Sequence, residues 1–543
     1  MTASMPRARK SDSISGVLER LAAHDPQRAV LVWDNRRISI GALLEESRRV
    51  AGGLAELGIV AGDRVALWLP NSPAWLALYL ACARLGAIAV AVNTRFRSSE
   101  IADILGRSGA RLLVLWPDFR HIDFLTILTE ADPFALDRLE GIVIYGSAAS
   151  PELVKGKRTI PYDALNQHSR YTGDRGDGPL GSVIFTTSGT TKAPKFVLHD
   201  HYSVIEHARA VAPSFGYDAP ETILLQALPL CGVFGFCQAM AALVAGAMTV
   251  LQPLFTAEEA ASLIERHAVT TLNGSDEMLG RLLRTRNESG PFGSLKSVHF
   301  AAFNPSMSGL VAEAEQRGLR FAGLYGTSEV QALFARQHLD VPAHVRGQPG
   351  GFPVGTHYGV RVRDPESGHL LVHGESGELE LAGPSCMVGY YGDAEATEKA
   401  MTADGWVRSG DLGHLLGDGS FVFETRMGDV LRLGGYLVAP SEIEAHIQCY
   451  PGIDGCQAVG AVGEDGPVVV AFVTLRPGFT FDEAALRQHC AKDLARFKTP
   501  ARCIALEAFP TTPGANGAKV QRAKLREMAQ RLLTASGYSG RAR

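Results

Sequence analysis

Phe185-Thr186-Thr187-Ser188-Gly189-Thr190-Thr191-Lys192-Ala193-Pro194-Lys195 is the stretch on which the reading of this chain turns. It follows a short apolar run, Ser182 to Phe185, of the kind that forms a buried strand. Hydroxyl side chains, one glycine and two lysines are packed into a few positions. Such a loop can offer backbone N–H groups, hydroxyl donors and a cation to one anionic ligand, and a triphosphate fits that description. It lacks the Gly-Lys-Ser/Thr ending that sets a lysine beside a Mg²⁺-binding hydroxyl in the common nucleotide loop. Taken alone, it reads equally well as a Ser/Thr-rich turn after a strand.

Helical and strand-like patterns alternate on both sides of the loop. On the N-terminal side, Ile40 to Leu57 reads as an amphipathic helix, Arg64 to Leu69 as a buried strand, Ala74 to Leu85 as a helix and Ala87 to Val92 as a strand. The pattern returns from Ser182 to Gly326. The helix-glycine-strand unit around Gly246 resembles the one around Gly86, which suggests two similar, mostly parallel α/β subdomains. From Gly347 to Val422 short β-like runs are separated by Gly, Asp and Pro, as in a small antiparallel or barrel-like region. A smaller α/β segment follows, and Arg426-Met427-Gly428-Asp429 is the linker between the two parts. The expected fold is therefore α/β, with a large N-terminal domain over 1–427 and a small mobile C-terminal domain over 428–543. A chain of 543 residues is in any case too long for one core.

Composition narrows the class. Apolar residues make up 46% and charged residues 20%, as in ordinary globular proteins, and a net charge of −4 gives no footprint for nucleic acid. Eight scattered cysteines form no Cys-x-x-Cys pair, which suits a reducing cytoplasm better than a disulfide framework or a zinc site. The apolar stretches Ala74 to Val92 and Cys237 to Leu251 read as a helix, a glycine stop and a strand rather than as membrane spans.

Four more clusters follow the loop. Tyr325-Gly326-Thr327-Ser328-Glu329 joins an aromatic face, a glycine, two hydroxyls and a carboxylate that could hold Mg²⁺. Asp411 closes Gly405-Trp406-Val407-Arg408-Ser409-Gly410-Asp411, where it could accept hydrogen bonds from ribose hydroxyls. Arg426 and Asp429 precede Gly434-Gly435, and Lys519 ends Gly514-Ala515-Asn516-Gly517-Ala518-Lys519. Each cluster alone is also an ordinary turn or solvated surface.

In this order and spacing the five clusters resemble the adenylate-forming superfamily: acyl-CoA synthetases, peptide-synthetase adenylation domains and firefly luciferase. The resemblance covers roughly Ser13 to Arg526 and is strongest to a stand-alone acyl-CoA synthetase. Leu228-Pro229-Leu230, Gly377-Glu378-Leu379, Gly389-Tyr390-Tyr391, Pro440 to Glu444 and Lys519-Val520-Gln521-Arg522 match as well. It implies that Thr187, Ser188, Gly189, Thr190, Thr191, Lys192 and Lys195 hold ATP phosphates. It further implies that Tyr325, with Gly326, Thr327 and Asn304, lines the adenine side, that Ser328 touches the α-phosphate and that Glu329 binds Mg²⁺. Asp411 and Arg426 would hold the ribose. Lys519 would bridge the α-phosphate and the acyl carboxylate, Gly428 would be the hinge, and Gly435 would line the thiol tunnel. His201 matches a histidine frequent after the phosphate loop and is a further catalytic candidate, with packing as the alternative.

The implied reaction is ATP-dependent ligation of an acid to coenzyme A with release of AMP and pyrophosphate. The acid site would draw on Gly232, Val233, Phe234, Asn273, Gly274, Ala301, Ala302, Phe303 and Thr327. No lysine or arginine stands among them, so an apolar fatty or aryl acid is expected. Alternatives are an acyl-AMP ligase that loads a separate carrier protein and a nucleotide-binding regulator without catalysis; a homodimer is also left open. Several positions depart from the family pattern. Lys192 and Phe196 stand where glycines are usual, and Gly232 where a histidine is common. Ala302-Phe303-Asn304-Pro305 replaces Gly-Gly-Ala-Pro, and Gly428 replaces Asp or Lys.

Overall fold

The computed structural model describes residues 13–117, 119–120, 122–146, 154, 156–187, 194–285, 292–302, 309–433, 436–438, 440–463, 466–514 and 517–536. Among these residues two large sheets dominate. The eight-stranded one runs in the order Gly389–Tyr390, Phe196–Asp200, Gly181–Thr186, Ile88–Ala91, Arg64–Trp68, Leu112–Leu115, Gly141–Ile144 and Arg158–Pro161. From Gly181–Thr186 outward its strands are all parallel. The second sheet has a parallel core of Phe321–Tyr325, Ser297–Ala301, Thr271–Ser275, Ile223–Gln226, Met248–Leu251 and Ala29–Trp33.

The two subdomains are not consecutive blocks of sequence, as the alternation suggested. Ala29–Trp33 lies in the second sheet, with Leu31 opposite Thr249 and Val32 opposite Val250. Gly181–Thr186 lies in the first, with Val90 opposite Ile184. Periodicity shows that a strand is buried on both faces; it does not choose the strand's neighbour. The antiparallel region continues the second sheet through Ala335–Arg336 and Gly350–Pro353 to Phe421–Arg426, Val407–Leu415, Gly377–Ala382 and Gly359–Arg363.

Each of the two apolar stretches holds the end of a buried helix, a glycine stop and a strand, as expected. Ser72 caps Pro73–Leu85 by accepting the Trp75 N–H at 3.3 Å, and all thirteen residues of that helix are buried. It and Val233–Ala245 both end on a left-handed glycine, Gly86 at φ 70° and Gly246 at φ 68°. The helices meet between the sheets, where Tyr79 and Phe236 stand edge to face at 4.9 Å. Tyr79 is hydrogen-bonded to Ser182 of the first sheet at 2.8 Å, and Gln238 donates to the Leu225 carbonyl of the second at 3.3 Å. Each large apolar side chain buried in this layer contributes about 1.5–3 kcal/mol. Among the described residues no helix is long and apolar enough to cross a membrane.

The C-terminal part has its own cores. The sheet Ile453–Gly463, Gly466–Leu475 and Arg502–Ala505 is flanked by helices Pro440–Gln448, Glu483–Asp493 and Arg522–Ser536. Its two apolar clusters share no residue with the N-terminal core. The fold is thus α/β, with a large N-terminal and a small C-terminal domain.

Candidate active site

The hydroxyl-rich stretch joins two antiparallel strands, Gly181–Thr186 and Phe196–Asp200. Its neck is closed by the Thr187 N–H donating to the Lys195 carbonyl at 3.0 Å and by the Lys195 N–H donating to Thr187 Oγ1 at 3.3 Å. Ser188, Gly189, Thr190, Thr191 and Lys192 lie outside the described residues, as do Phe303, Asn304 and Gly435. Phe196, where glycine is usual, is buried in the first sheet's outer core. The Arg107 guanidinium lies 4.2 Å over its ring and donates to the Pro194 carbonyl at 2.8 Å. Phe196 therefore anchors the returning stem of the loop.

The strand Gly389–Tyr390 pairs with Phe196–Asp200, Tyr390 opposite Val197. This register sets the Tyr390 ring 4.5 Å beneath the Lys195 ammonium. The Tyr390 hydroxyl donates to Glu329 Oε1 at 2.8 Å. Glu329 Oε2 has no partner among the described residues. Burial, with Glu329 beside it, pushes the Tyr390 phenol far up, so it remains a donor. Tyr390 thus links the phosphate-loop stem to the candidate metal carboxylate, a role its sequence did not announce.

Glu329 sits in a turn that follows strand Phe321–Tyr325. The turn folds back so tightly that a Cβ on Gly326 would lie 2.2 Å from the Ala332 oxygen, so only glycine fits. Gln331 and Ala332 both adopt left-handed backbone, at φ 61° and 51°, a conformation costing roughly 1–2 kcal/mol per non-glycine residue. Three outside donors hold this shape. His199 Nε2–H donates to the Ser328 carbonyl at 2.8 Å, the Met387 N–H to that of Glu329 at 2.7 Å, and His207 Nε2–H to that of Gln331 at 2.9 Å. Burial lowers His199 to about 4 and His207 to about 3, so both rings are neutral donors near pH 7. Thr327 is buried, and its Oγ1 has no hydrogen-bond partner among the described residues.

Asp411 and Arg426 face each other across the antiparallel pair Val407–Leu415 and Phe421–Arg426. The Tyr325 hydroxyl donates to Asp411 Oδ2 at 2.6 Å. Arg426 Nε lies 3.0 Å from Asp411 Oδ1 but off the line of a hydrogen bond, which leaves Oδ1 without a donor. The Asp411 side chain is 1% exposed and that of Arg426 58%, so the arginine faces open space while the carboxylate is recessed. Burial pushes Asp411 up to about 6, with Arg426 and Tyr325 opposing and Glu329 adding to the rise. Phe421 and Phe423 flank the Tyr325 ring at 5.2 and 5.7 Å.

The structure thus gathers Lys195, Tyr325, Gly326, Thr327, Ser328, Glu329, Asp411 and Arg426 at the carboxyl ends of strands Gly181–Thr186 and Phe321–Tyr325. That is where open α/β sheets bind ligands. Ala301 ends the adjacent strand Ser297–Ala301 and Ala302 follows it, while Asn273 and Gly274 lie in Thr271–Ser275. Asn273 Nδ2 donates to the Tyr217 hydroxyl at 2.6 Å, while its Oδ1 has no hydrogen-bond partner among the described residues. Gly232 caps the helix that carries Val233 and Phe234.

His201 is not brought to this group. It opens helix His201–Ser214 at the far end of its strand from Lys195, fully buried. Neither ring nitrogen has a hydrogen-bond partner among the described residues, and burial lowers it to about 4. What the structure shows of it is burial without a hydrogen bond, as the packing alternative expects. Gly428 lies in the short helical turn Met427–Asp429, where Arg526 donates to the Asp429 carboxylate at 2.8 Å. Lys519 is in strand Gly517–Val520, opposite Thr512.

Two family models match the chain: one described as AMP-binding enzyme over residues 18–391, and one described as AMP-binding enzyme C-terminal domain over 442–515. Sulfoacetate–CoA ligase of Cupriavidus necator is 29% identical, over 95% of this chain and 97% of its own. The 2-hydroxy-7-methoxy-5-methyl-1-naphthoate–CoA ligase of Streptomyces carzinostaticus is also 29% identical, over 96% and 94%. The crystal structure of ATP-bound MatB from Rhodopseudomonas palustris superposes with a TM-score of 0.81 at 25% identity, over 96% of this chain and 99% of that one.

Proposed function

The chain belongs to the AMP-binding enzyme family, and from that premise we propose that it is an AMP-forming acid–coenzyme A ligase. The observation that carries this reading is the recessed Asp411, held by Tyr325 and faced by Arg426, within electrostatic reach of Glu329. One end of this group suits a ribose and the other a phosphate chain. Asp411 Oδ1, lacking a donor, is free to accept a ribose hydroxyl. Glu329 Oε2 and the nearby Lys195 suit phosphates with their counter-ion. Glu329 fits Mg²⁺, which takes few carboxylates plus phosphate oxygens; when bound, the ion neutralises phosphate charge.

In the first half-reaction the acid's carboxylate oxygen bonds to the α-phosphorus as the bond to pyrophosphate breaks. Two anions approach one another, and Lys519 is assigned the task of offsetting their repulsion. Arg426 and Asp411 fix the ribose, so the α-phosphate is presented in one orientation. In the second half-reaction a thiol sulfur attacks the activated carbonyl, AMP leaves with the bonding pair, and Lys519 is no longer needed. We place the domain boundary at 427/428 and the pivot at Gly428, where the second sheet ends and the separate small core begins. Rotation there would exchange Lys519 for the Gly435 face.

For the acid we propose an apolar fatty or aryl acid, because the positions expected to line its site carry no cation. A cytoplasmic location suits the eight cysteines, none of which is in a disulfide. The test is pyrophosphate release across a panel of fatty, aryl and dicarboxylic acids, followed by AMP release with coenzyme A or a carrier protein as acceptor. Acid-dependent release accelerated by free coenzyme A is expected. Release accelerated only by a carrier protein would make the chain an acyl-AMP ligase. No release with any acid would leave a nucleotide-binding regulator.

A further inference from the structure

Helices Pro440–Gln448 and Glu483–Asp493 of the small domain carry a second chemistry-bearing group, made of residues that none of the clusters above contains. His446 on the first helix and His489 on the second stack with ring centroids 4.5 Å apart and planes 16° from parallel. Asp493 follows His489 by four residues, so both project from one helix face. One ligand atom from each of the three residues lies within 4.8 Å of the other two. His489 Nε2 is shielded from solvent and has no hydrogen-bond partner among the described residues. His446 Nε2 makes only a long contact, 3.4 Å, to the His489 carbonyl. Asp493 is exposed and has no ion pair among the described residues.

We propose that His446, His489 and Asp493 form a binding site for a borderline first-row divalent cation of the Zn²⁺ class. Two imidazoles and one carboxylate match that class, whereas Mg²⁺ and Ca²⁺ take oxygen ligands. Metal–ligand bonds of about 2.0–2.2 Å set the ligand atoms of a tetrahedral site ~3.4 Å apart. For the ion to bind, side-chain rotation of the two histidines and the solvent-facing Asp493 has to close the gap from 4.8 Å. Three protein ligands leave the fourth position to water. The ion would tie the two helices together across the small domain's core, and it is separate from the Mg²⁺ assigned to Glu329.

The experiment uses full-length untagged protein, stripped with chelator and titrated with Co²⁺. Expected are visible d–d bands of tetrahedral intensity, one Co²⁺ per chain, a dissociation constant of about 10 µM or tighter, and displacement by Zn²⁺ but not by Mg²⁺. His489→Ala and Asp493→Asn should each weaken binding at least tenfold; Asp493 is exposed, so that variant folds. Cys449→Ser, which removes the exposed thiol one turn beyond His446, should bind as the parent does. Absence of the bands up to about 1 mM Co²⁺, or wild-type affinity in Asp493→Asn and His489→Ala, overturns the site.

Discussion

Replacing Asp411 by asparagine separates what this residue does for binding from what it costs the fold. The carboxyl is buried and raised from its ordinary 3.8 to about 6. Below pH 3.8 both folded and unfolded chains hold the proton. Between 3.8 and 6 only the folded chain does, so stability falls as pH rises through that window and the loss is complete above 6. The two values correspond to roughly 3 kcal/mol at pH 7–8. Asp411→Asn removes this penalty and keeps an acceptor for the Tyr325 hydroxyl. We expect a higher unfolding midpoint at pH 8, by about 1–3 kcal/mol, and little change at pH 4. The cost falls on ligand binding, since a charge-assisted hydrogen bond to ribose is worth about 1.5–3 kcal/mol. Affinity for adenosine, which carries no phosphate to titrate, should drop by about 10- to 150-fold at pH 8. In the parent, adenosine affinity should also fall about tenfold per pH unit below 6, while the variant stays flat. Calorimetry with adenosine and urea unfolding at both pH values measure all of this. A variant that binds adenosine as the parent does, or that is less stable at pH 8, refutes the reasoning.

Lys519→Ala should lower adenylation by about 10²–10³ while leaving thioester formation from a supplied acyl-adenylate largely intact; equal loss of both steps would remove Lys519 from its assigned place. Gly428→Pro should spare pyrophosphate release and slow transfer to coenzyme A by about tenfold or more, read in single-turnover assays of each half-reaction; unchanged turnover would mean the pivot lies elsewhere. His201→Leu should change kcat by less than about threefold and improve stability in acid. His201 is lowered to about 4, so the stability it confers is complete above its ordinary 6.5 and is lost by roughly 1.4 kcal/mol per pH unit as pH falls toward 4. A urea midpoint no less sensitive to pH in the variant, or a collapse of kcat with the fold intact, would restore a working role to this histidine.

Local signals carried some elements well. Pro73–Leu85 was legible because an apolar run, a proline at its start and a glycine at its end agree with one another. The pairing of Ala29–Trp33 with Met248–Leu251 was not, because the choice of neighbour is made by a crossover of more than two hundred residues. The same division holds in the site. Glu329, Asp411 and Arg426 could be named from their motifs, since each sits in a short stretch with its own chemistry. Tyr390 lay in a stretch that matched the family but had no role until its strand paired beside Phe196 and set its ring under Lys195. His199 and His207 have no motif, because what they do is donate to carbonyls more than a hundred residues away. His201 fits a motif by position, yet its strand carries it to the opposite end from the loop.

These placements bear on what pH can do to the enzyme. The turn holding Glu329 contains two strained residues and would relax if its carbonyls lost their donors. Two of those donors are histidines, the usual titrating groups near neutrality. Burial keeps His199 and His207 neutral down to about pH 4 and 3, with their Nε2 protons in place, so the turn holds its shape across pH 5–8. Over the same range Asp411, at about 6, changes charge within electrostatic reach of Glu329, with Tyr325 hydrogen-bonded to it throughout. Loss of activity on acidification toward pH 5 should therefore appear as weakened nucleotide binding, a rise in KM for ATP, before any disturbance of the Glu329 turn. A fall in kcat at saturating ATP with KM unchanged would place the sensitive group elsewhere.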